Sequence, residues 1–521
     1  MAPRPVLLAA SAGAVAVALI PLVYLAVRTA EAGWSRIAAE VFTARTAVLA
    51  GRSLALAAVV TAGCAVLGVA AAFLVTRTDL PARRAFGVLA ALPLAVPTYV
   101  AGFAWLSTVD ATGFWAAALV LTLCSYPYVY LPVAAALAGT DPAQEEAARC
   151  LGHGPWRTFT GVTLRQIRPA LAAGALLVAL YVLADFGAVS LLRVDTFTRA
   201  IFTAINLGFD RTGALVLSTV LVALTLLLLG GELVTRTRGA RYARLGAGGR
   251  PPARLRLGAL RWPAVAALGA VAALALGVPA ASLLRWLAAG VSRPGSLAEI
   301  AAAAGGSLAV SLAGAGLTML LALPLGLLTA RAPGALATAL DRLSYLAHAL
   351  PGLVIGLSLV FFGIHVAYPL YQSVWLLALG YAALFLPLAV GAVAGAAAQS
   401  PPALEEVARS LGRRPAAVLR TVTLPLTAPG LAAAAALVFL TCMKELPATL
   451  LLRPTGMETL ATELWTHTSV SAYAAAAPYA ALLVLLAAGP TWALAVRSGV
   501  LDRAAGVRVA GGHADGRCGP E

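Results

Sequence analysis

The sequence predicts an all-α polytopic membrane protein of about twelve transmembrane helices, arranged as two tandem six-helix halves. Three observations carry that expectation. Of the 521 residues, 61% are hydrophobic and only 11% charged, whereas a soluble domain carries about 45–50% apolar and about 25% charged residues. The apolar residues gather into stretches that reach the roughly 20 residues needed to cross a bilayer. A polar segment between two such stretches recurs 260 residues later, which makes the chain a tandem duplication.

In order, the apolar stretches cover residues 6–28, 53–75, 86–107, 113–137, 169–192 and 212–234, then 263–287, 303–330, 343–364, 373–397, 429–452 and 476–497. Ala30-Glu31-Ala32 after the first has the small-residue pattern of a signal-peptidase site. The apolar run from Val6 to Val27 exceeds the roughly 7–15 residues of a signal h-region, so an uncleaved helix is expected. With the N-terminus inside, 26 of the 36 arginines fall on inward segments and 10 on outward ones. The positive-inside rule then places both termini in the cytoplasm.

The repeat sets the domain limits. Residues 141–155 (DPAQEEAARCLGHGP) reappear as 401–415 (PPALEEVARSLGRRP), and the same shift carries Pro169 to Pro429 and Asp185 to Glu445. Upstream, Pro97-x-x-Val-x-Gly102 pairs with Pro351-x-x-Val-x-Gly356 at a shift of 254. An even number of spans precedes the second copy, so the halves run parallel. They cover 1–234 and 263–497, with a terminal tail at 498–521. Between them, residues 235–262 hold eight arginines and no acidic residue. This reads as a flexible linker whose charge anchors the topology beside anionic headgroups.

The rest of the composition excludes common chemistries. Lys444 is the single lysine and follows Met443, so no P-loop lysine exists. The five cysteines form no C-x-x-C and the five histidines no H-E-x-x-H, leaving metal and disulfide frameworks without support. No stably bound metal, cofactor or nucleic acid is expected.

The duplicated segment has its own local logic. Asp141 is positioned to N-cap a helix, with Pro142 at its first position and Gln144 closing a capping box. Glu145 and Arg149, like Glu405 and Arg409, stand four apart, the spacing of an intrahelical ion pair. Gly152 and Gly412 end the two helices, and a second amphipathic helix is expected before Pro169 and Pro429. Two matched knobs on one face call for two matched partners related by a two-fold axis.

Glu-Glu-Ala-Ala-Arg-x-Leu-Gly and Glu-Glu-Val-Ala-Arg-x-Leu-Gly resemble the EAA coupling motif of ABC-importer permeases. The resemblance implies type I permease domains with motif loops at 138–168 and 398–428. In these loops Glu145, Glu146, Ala148 and Gly152, with Glu405, Glu406, Ala408 and Gly412, form the helices that fit the ATP-binding subunits. It also implies two separate ATP-binding chains, which bind the ATP, an extracytoplasmic substrate-binding protein, and residence in a bacterial inner membrane. The segments Ala184 to Ile201 and Lys444 to Trp465 resemble fused ferric-iron permeases, while permeases for thiamine, polyamines such as putrescine, and phosphonates share the fused layout.

Ionisable groups within a span mark functional candidates. Asp185 lies 16 residues past Pro169, about 24 Å along a helix, and Glu445 matches it beside Lys444. Lys444 is expected to pair with Asp185 or another helix, because adjacent helical residues diverge by about 100°. For a ferric cargo, oxygen ligands are wanted, and Tyr126, Tyr130 and Tyr381 join the carboxylates as path candidates. An ion-coupled secondary transporter also pairs six-helix halves around midplane charges, but has no need of the duplicated knob.

Overall fold

The structure is a computed structural model that describes residues 4–497 except 141, 207, 209, 240–253, 291–295, 333, 349 and 399. The expected cap at Asp141 and the tail at 498–521 lie outside the described residues. Helices dominate, and among the described residues the sole β feature is an isolated bridge, Thr78 to Leu255.

In the first half, α1 (Arg4–Glu31), α2 (Ala44–Arg77), a bent pair α3 (Arg83–Ala91) and α4 (Thr98–Val109), α5 (Phe114–Ala138), α6 (Pro142–Cys150) and α7 (Pro155–Ala184) follow in order. Two short helices, α8 (Gly187–Leu191) and α9 (Phe197–Asn206), lead into α10 (Arg211–Gly239). The second half repeats the plan. It comprises α11 (Gly258–Ala289), α12 (Leu297–Arg331), the pair α13 (Ala335–His348) and α14 (Gly352–His365), α15 (Val374–Ala398), α16 (Pro402–Ser410), α17 (Pro415–Met443), α18 (Pro447–Leu452), α19 (Leu460–Ser469) and α20 (Tyr473–Arg497).

Among the described residues, nine helices are long and apolar enough to cross a membrane, and the α3–α4 pair is a tenth with a 93° bend. Two shorter apolar helices, Gly352–His365 and Tyr473–Ala488, occupy the remaining expected stretches. The bend in the α3–α4 pair and the break between α13 and α14 correct the expectation of continuous spans at 86–107 and 343–364. Pro93 and Pro97 interrupt the first and Pro351 the second, each removing a backbone donor; Leu92 before Pro93 stays helical in a short 3-10 turn, whereas Val96 before Pro97 is extended. The spans expected at 169–192 and 429–452 are displaced too. Helix α7 starts at Pro155 and α17 at Pro415, each passing a π-turn (Phe159–Thr163, Leu419–Thr423) and running straight through its proline. The second amphipathic helix expected after each glycine is therefore the first part of the span itself.

The halves exchange their first helices. α1 packs on α12, α13 and α14 of the second half, and the Tyr24 hydroxyl donates to the Phe361 carbonyl at 3.1 Å. Conversely α11 packs on α3 and α4, and Arg285 donates to the Ser107 carbonyl at 2.7 Å. Ser107 and Phe361 are themselves counterparts in the repeat, so the two contacts are related by the pseudo-two-fold axis.

The linker is not free along its whole length. Leu255 donates to the Arg77 carbonyl at 2.8 Å and accepts from the Asp79 amide at 3.1 Å, while Asp79 accepts from the Leu257 amide and from Arg261. The Leu257 amide and then Arg261 hold the Asp79 carboxyl below its ordinary value.

Candidate functional site: two knobs and a polar centre between the halves

The knobs are built alike. After α6 the chain turns at Gly152, with φ 81°, and after α16 at Gly412, with φ 78°. In both, the glycine amide donates to the arginine carbonyl three residues back, and the next amide (His153, Arg413) donates to the alanine carbonyl five back (Ala148, Ala408). This is a Schellman turn, whose left-handed position explains the glycine. Ala148 and Ala408 face inward and are buried, while Glu146 and Glu406 face outward. The turns also expose Leu151 and Leu411, each nearly four-fifths accessible, and the first knob adds Trp156. Exposed apolar groups ringed by charge are what a docking surface offers.

Glu145 and Glu405 do something the helical spacing did not reveal. Glu145 is buried and ion-paired to Arg77 at the end of α2, and the Thr163 hydroxyl donates to its other oxygen at 2.8 Å. Glu405 is equally buried and pairs with Arg331 at the end of α12, 3.1 Å away. The expected intrahelical pair survives in the first knob as a longer second contact, Arg149 4.0 Å from Glu145, while in the second Arg409 donates to the Glu405 backbone carbonyl instead. The Gln144 amide oxygen accepts from Gln166 at 2.8 Å. Buried carboxylates need a full counter-charge, which a half-exposed neighbour on the same helix does not supply. Arg77 and Arg331 escaped the sequence reading because they lie 68 and 74 residues upstream of their partners in otherwise apolar helices.

Asp185 follows the last residue of α7 and caps α8, accepting from the Ala188 and Val189 amides at 3.0 and 3.2 Å. Its second oxygen accepts from the Thr98 hydroxyl at 2.6 Å. Glu445 caps α18 in the same way, accepting from the Ala448 and Thr449 amides at 3.1 Å each. Opposite Glu445 stands Gly352, the counterpart of Thr98, where an added Cβ would lie 2.4 Å from the carboxylate. The two halves fill one space in two ways, with Asp plus Thr or Glu plus Gly.

Lys444 forms no ion pair among the described residues. Its Nζ donates across the half–half boundary to the Leu94 carbonyl at 2.9 Å, where the bend of the third span leaves that oxygen free. The Tyr381 hydroxyl is 2.7 Å from Thr449 Oγ1, joining the Glu445 network. Tyr130 instead donates to the Gly87 carbonyl and Tyr126 lies buried beside an apolar cavity, neither one bonded to Asp185, Lys444 or Glu445 among the described residues. Tyr99, not singled out from sequence, has a buried hydroxyl with no hydrogen-bond partner among the described residues.

Opposite the knobs, Glu299, Glu458, Glu463, His467 and Tyr479 line a cavity of about 790 Å3. Burial, and then the neighbouring Glu458, raise the Glu463 carboxyl to about 7. These residues are spread over 180 positions without a motif, so sequence spacing gave no signal. Among the described residues no three His, Cys, Asp or Glu side chains group closely enough to hold a metal ion.

A duplicated helical unit with paired knobs and a polar seam defines a membrane transport component. The chain belongs to the family of binding-protein-dependent transport system inner membrane components, whose pattern it matches twice, at residues 64–236 and 322–498. It is 39% identical over 480 residues to the Fe(3+)-transport system permease protein of Haemophilus influenzae, covering 91% of this chain and 95% of that one. The sulfate transport system permease protein of Escherichia coli is 32% identical over 234 residues, 40% of this chain and 84% of its own. The molybdenum transport system permease protein of the same organism is 30% identical over 201 residues, 34% of this chain and 88% of its own.

Proposed function

We infer that the chain is the permease of a ferric-iron importer. Residues 1–234 and 263–497 act as two fused permease domains. Two separate ATP-binding chains dock on the knobs around α6 and α16, and an extracytoplasmic binding protein delivers the substrate at the opposite face. Both termini and both knobs lie in the cytoplasm, as the arginine distribution supports. The ferric cargo rests on the full-length likeness to the Haemophilus influenzae iron permease. The observation that carries the rest is the pair of knobs: the same Schellman turn and the same buried glutamate–arginine contact, built twice on one side of the molecule.

The chain does no covalent chemistry in this scheme. Glu145, Glu146, Ala148 and Gly152, with their counterparts Glu405, Glu406, Ala408 and Gly412, carry force from the ATP-binding chains. Asp185 and Glu445 hold the seam in shape through α8 and α18, and Lys444 and Tyr381 join the path there. Closure of the ATP-binding pair moves both knobs together, so the halves rock between inward-open and outward-open states.

Reconstitution tests the reading. Proteoliposomes holding the permease with its ATP-binding and binding-protein partners should accumulate radioactive ferric ion only with ATP. Uptake by this chain alone, without ATP, would establish a secondary transporter instead.

A further inference from the structure

We propose that Phe202 and Trp465, backed by Phe186, form the gate on the face opposite the knobs, and that α2 and α12 are the rods that open it. The proposal rests on the importer reading above, since it takes the force to come from ATP-binding chains at the knobs.

The gate follows from symmetry. Helices α9 and α19 are counterparts at a shift of 263, and that shift carries Phe202 to Trp465. These two rings meet edge to face with centroids 6.0 Å apart, and Phe186 packs against both at 4.6 and 4.9 Å. Symmetry-related residues that touch each other lie on the axis relating the halves. A path between two equivalent halves runs along that axis, so these rings stand across it. An aromatic constriction repels a hydrated ion without binding it, which blocks leakage while leaving nothing to trap the cargo.

The rods follow from a matched pair of bonds at each end. At the knob end, Arg77 closes α2 and Arg331 closes α12, each ion-paired to a buried knob glutamate. At the far end, Ser53 of α2 accepts from the Phe197 amide at 3.2 Å, and Ser307 of α12 accepts from the Leu460 amide at 2.8 Å. Phe197 and Leu460 are the first residues of α9 and α19, the helices that carry the gate rings. Serine and arginine are 24 residues apart in both rods, about 36 Å of helix. The neighbouring residue reinforces each far joint: Arg52 pairs with Asp195 at 3.1 Å, and Gly306 admits the Glu458 carbonyl where a Cβ would come within 2.1 Å. Both Arg77 and Arg331 keep a buried Nε without a partner among the described residues. An unmet buried donor is costly, and a joint that changes partners during a cycle accounts for it in both halves.

Cross-linking tests the gate in the assembled complex. A Phe202→Cys/Trp465→Cys protein, oxidised or bridged by a short bifunctional thiol reagent, should import ferric ion from its binding protein at less than about a tenth of the reduced protein's rate. Reductant should restore the rate for the disulfide, and each single cysteine variant should be insensitive. Unimpaired import by the bridged protein would overturn the gate. The rods are tested by the ratio of binding-protein-stimulated to basal ATP hydrolysis. Ser53→Ala/Ser307→Ala should lower that ratio by about threefold to thirtyfold, the range for residues along a coupling route. The threonine pair, which keeps the hydroxyls, should retain it, and an unchanged ratio in the alanine pair would overturn the rods. The wild-type complex is the control for the reading beneath: if it shows no ATP-driven uptake, the importer assignment falls, whereas wild-type uptake with an insensitive cross-link removes the gate alone.

Discussion

The buried glutamate of each knob is held by a residue of a different helix, so its energetics are those of a desolvated ion pair. Arg331→Met leaves Glu405 charged without a partner, and breaking such a pair by removing one member costs about 3–5 kcal/mol. The melting temperature of the purified complex should fall accordingly, and Arg331→Met/Glu405→Met should recover most of the loss. A double variant as unstable as the single one would show that the arginine acts otherwise. At the seam, Gly352→Thr should force an overpacked contact with Glu445, costing about 1–3 kcal/mol. Shortening the acid as well, Gly352→Thr/Glu445→Asp, recreates the Thr98–Asp185 arrangement and should restore stability. Glu463 gives a pH signature with a definite sign. Between its ordinary 4.5 and about 7, the unfolded chain has released this proton while the folded chain retains it, so stability falls as pH rises through that window. Glu463→Gln should remove this contribution, opening a melting-temperature gap over wild type between about pH 5 and about pH 7.5. At this scale the sequence displayed the knob glutamates and glycines because both copies keep them. Thr98 and Gly352 were hidden because they compensate for each other, and compensating residues differ between copies by necessity.

Whole elements were more legible than their ends. Apolar length located the nine long helices and the bent α3–α4 pair among the described residues, since lipid demands it of any crossing helix. The bend at Pro93–Pro97 and the break at Pro351 coincide with prolines in the sequence, but proline also sits within α7, α12 and α17 without breaking them. Only packing decides which proline ends a helix. The linker shows the same division. Its arginines marked it as a charged connection between the halves, whereas its backbone pairing to Arg77–Asp79 has no sequence signature. That strap joins the chain between the halves to the residue that holds the first knob, and no equivalent contact is described at Arg331. Asp79→Ala removes the acceptor of the Leu257 amide and of Arg261. Hydrogen exchange at the Leu255 and Leu257 amides should accelerate by about threefold or more, with the Ser307–Leu460 joint unaffected. Because the Asp79 carboxyl is held low, the strap is fully formed above the ordinary carboxylate range and is lost only as pH falls through the depressed value. Its exchange rates should therefore show no titration near neutrality beyond the intrinsic dependence of exchange itself.

For the molecule as a whole, the repeat gave two parallel halves but not the exchange of first helices, because α1 and α11 face a combination of lipid and the other half and need only be apolar. Nothing in an apolar helix names its neighbour. The exchange makes the halves depend on each other: α1 covers α12, α13 and α14, and α11 covers α3 and α4. A half produced alone would expose the small residues and free carbonyls that these contacts cover, including the acceptors at Phe361 and Ser107. Helix association in lipid rests on such close packing and interhelical hydrogen bonds. Dividing the gene within 240–253 and producing both pieces together should therefore yield a complex that co-purifies through a tag on either piece and supports ATP-driven uptake. Either piece produced alone should aggregate or be degraded. Adding residues 1–31 as a separate peptide to a second half should improve its recovery, because that peptide supplies the covering helix. A second half that is monodisperse without the first, and gains nothing from the peptide, would mean that the exchanged helices are bystanders and that the seam between the halves holds through α4, α14 and the aromatic cluster alone.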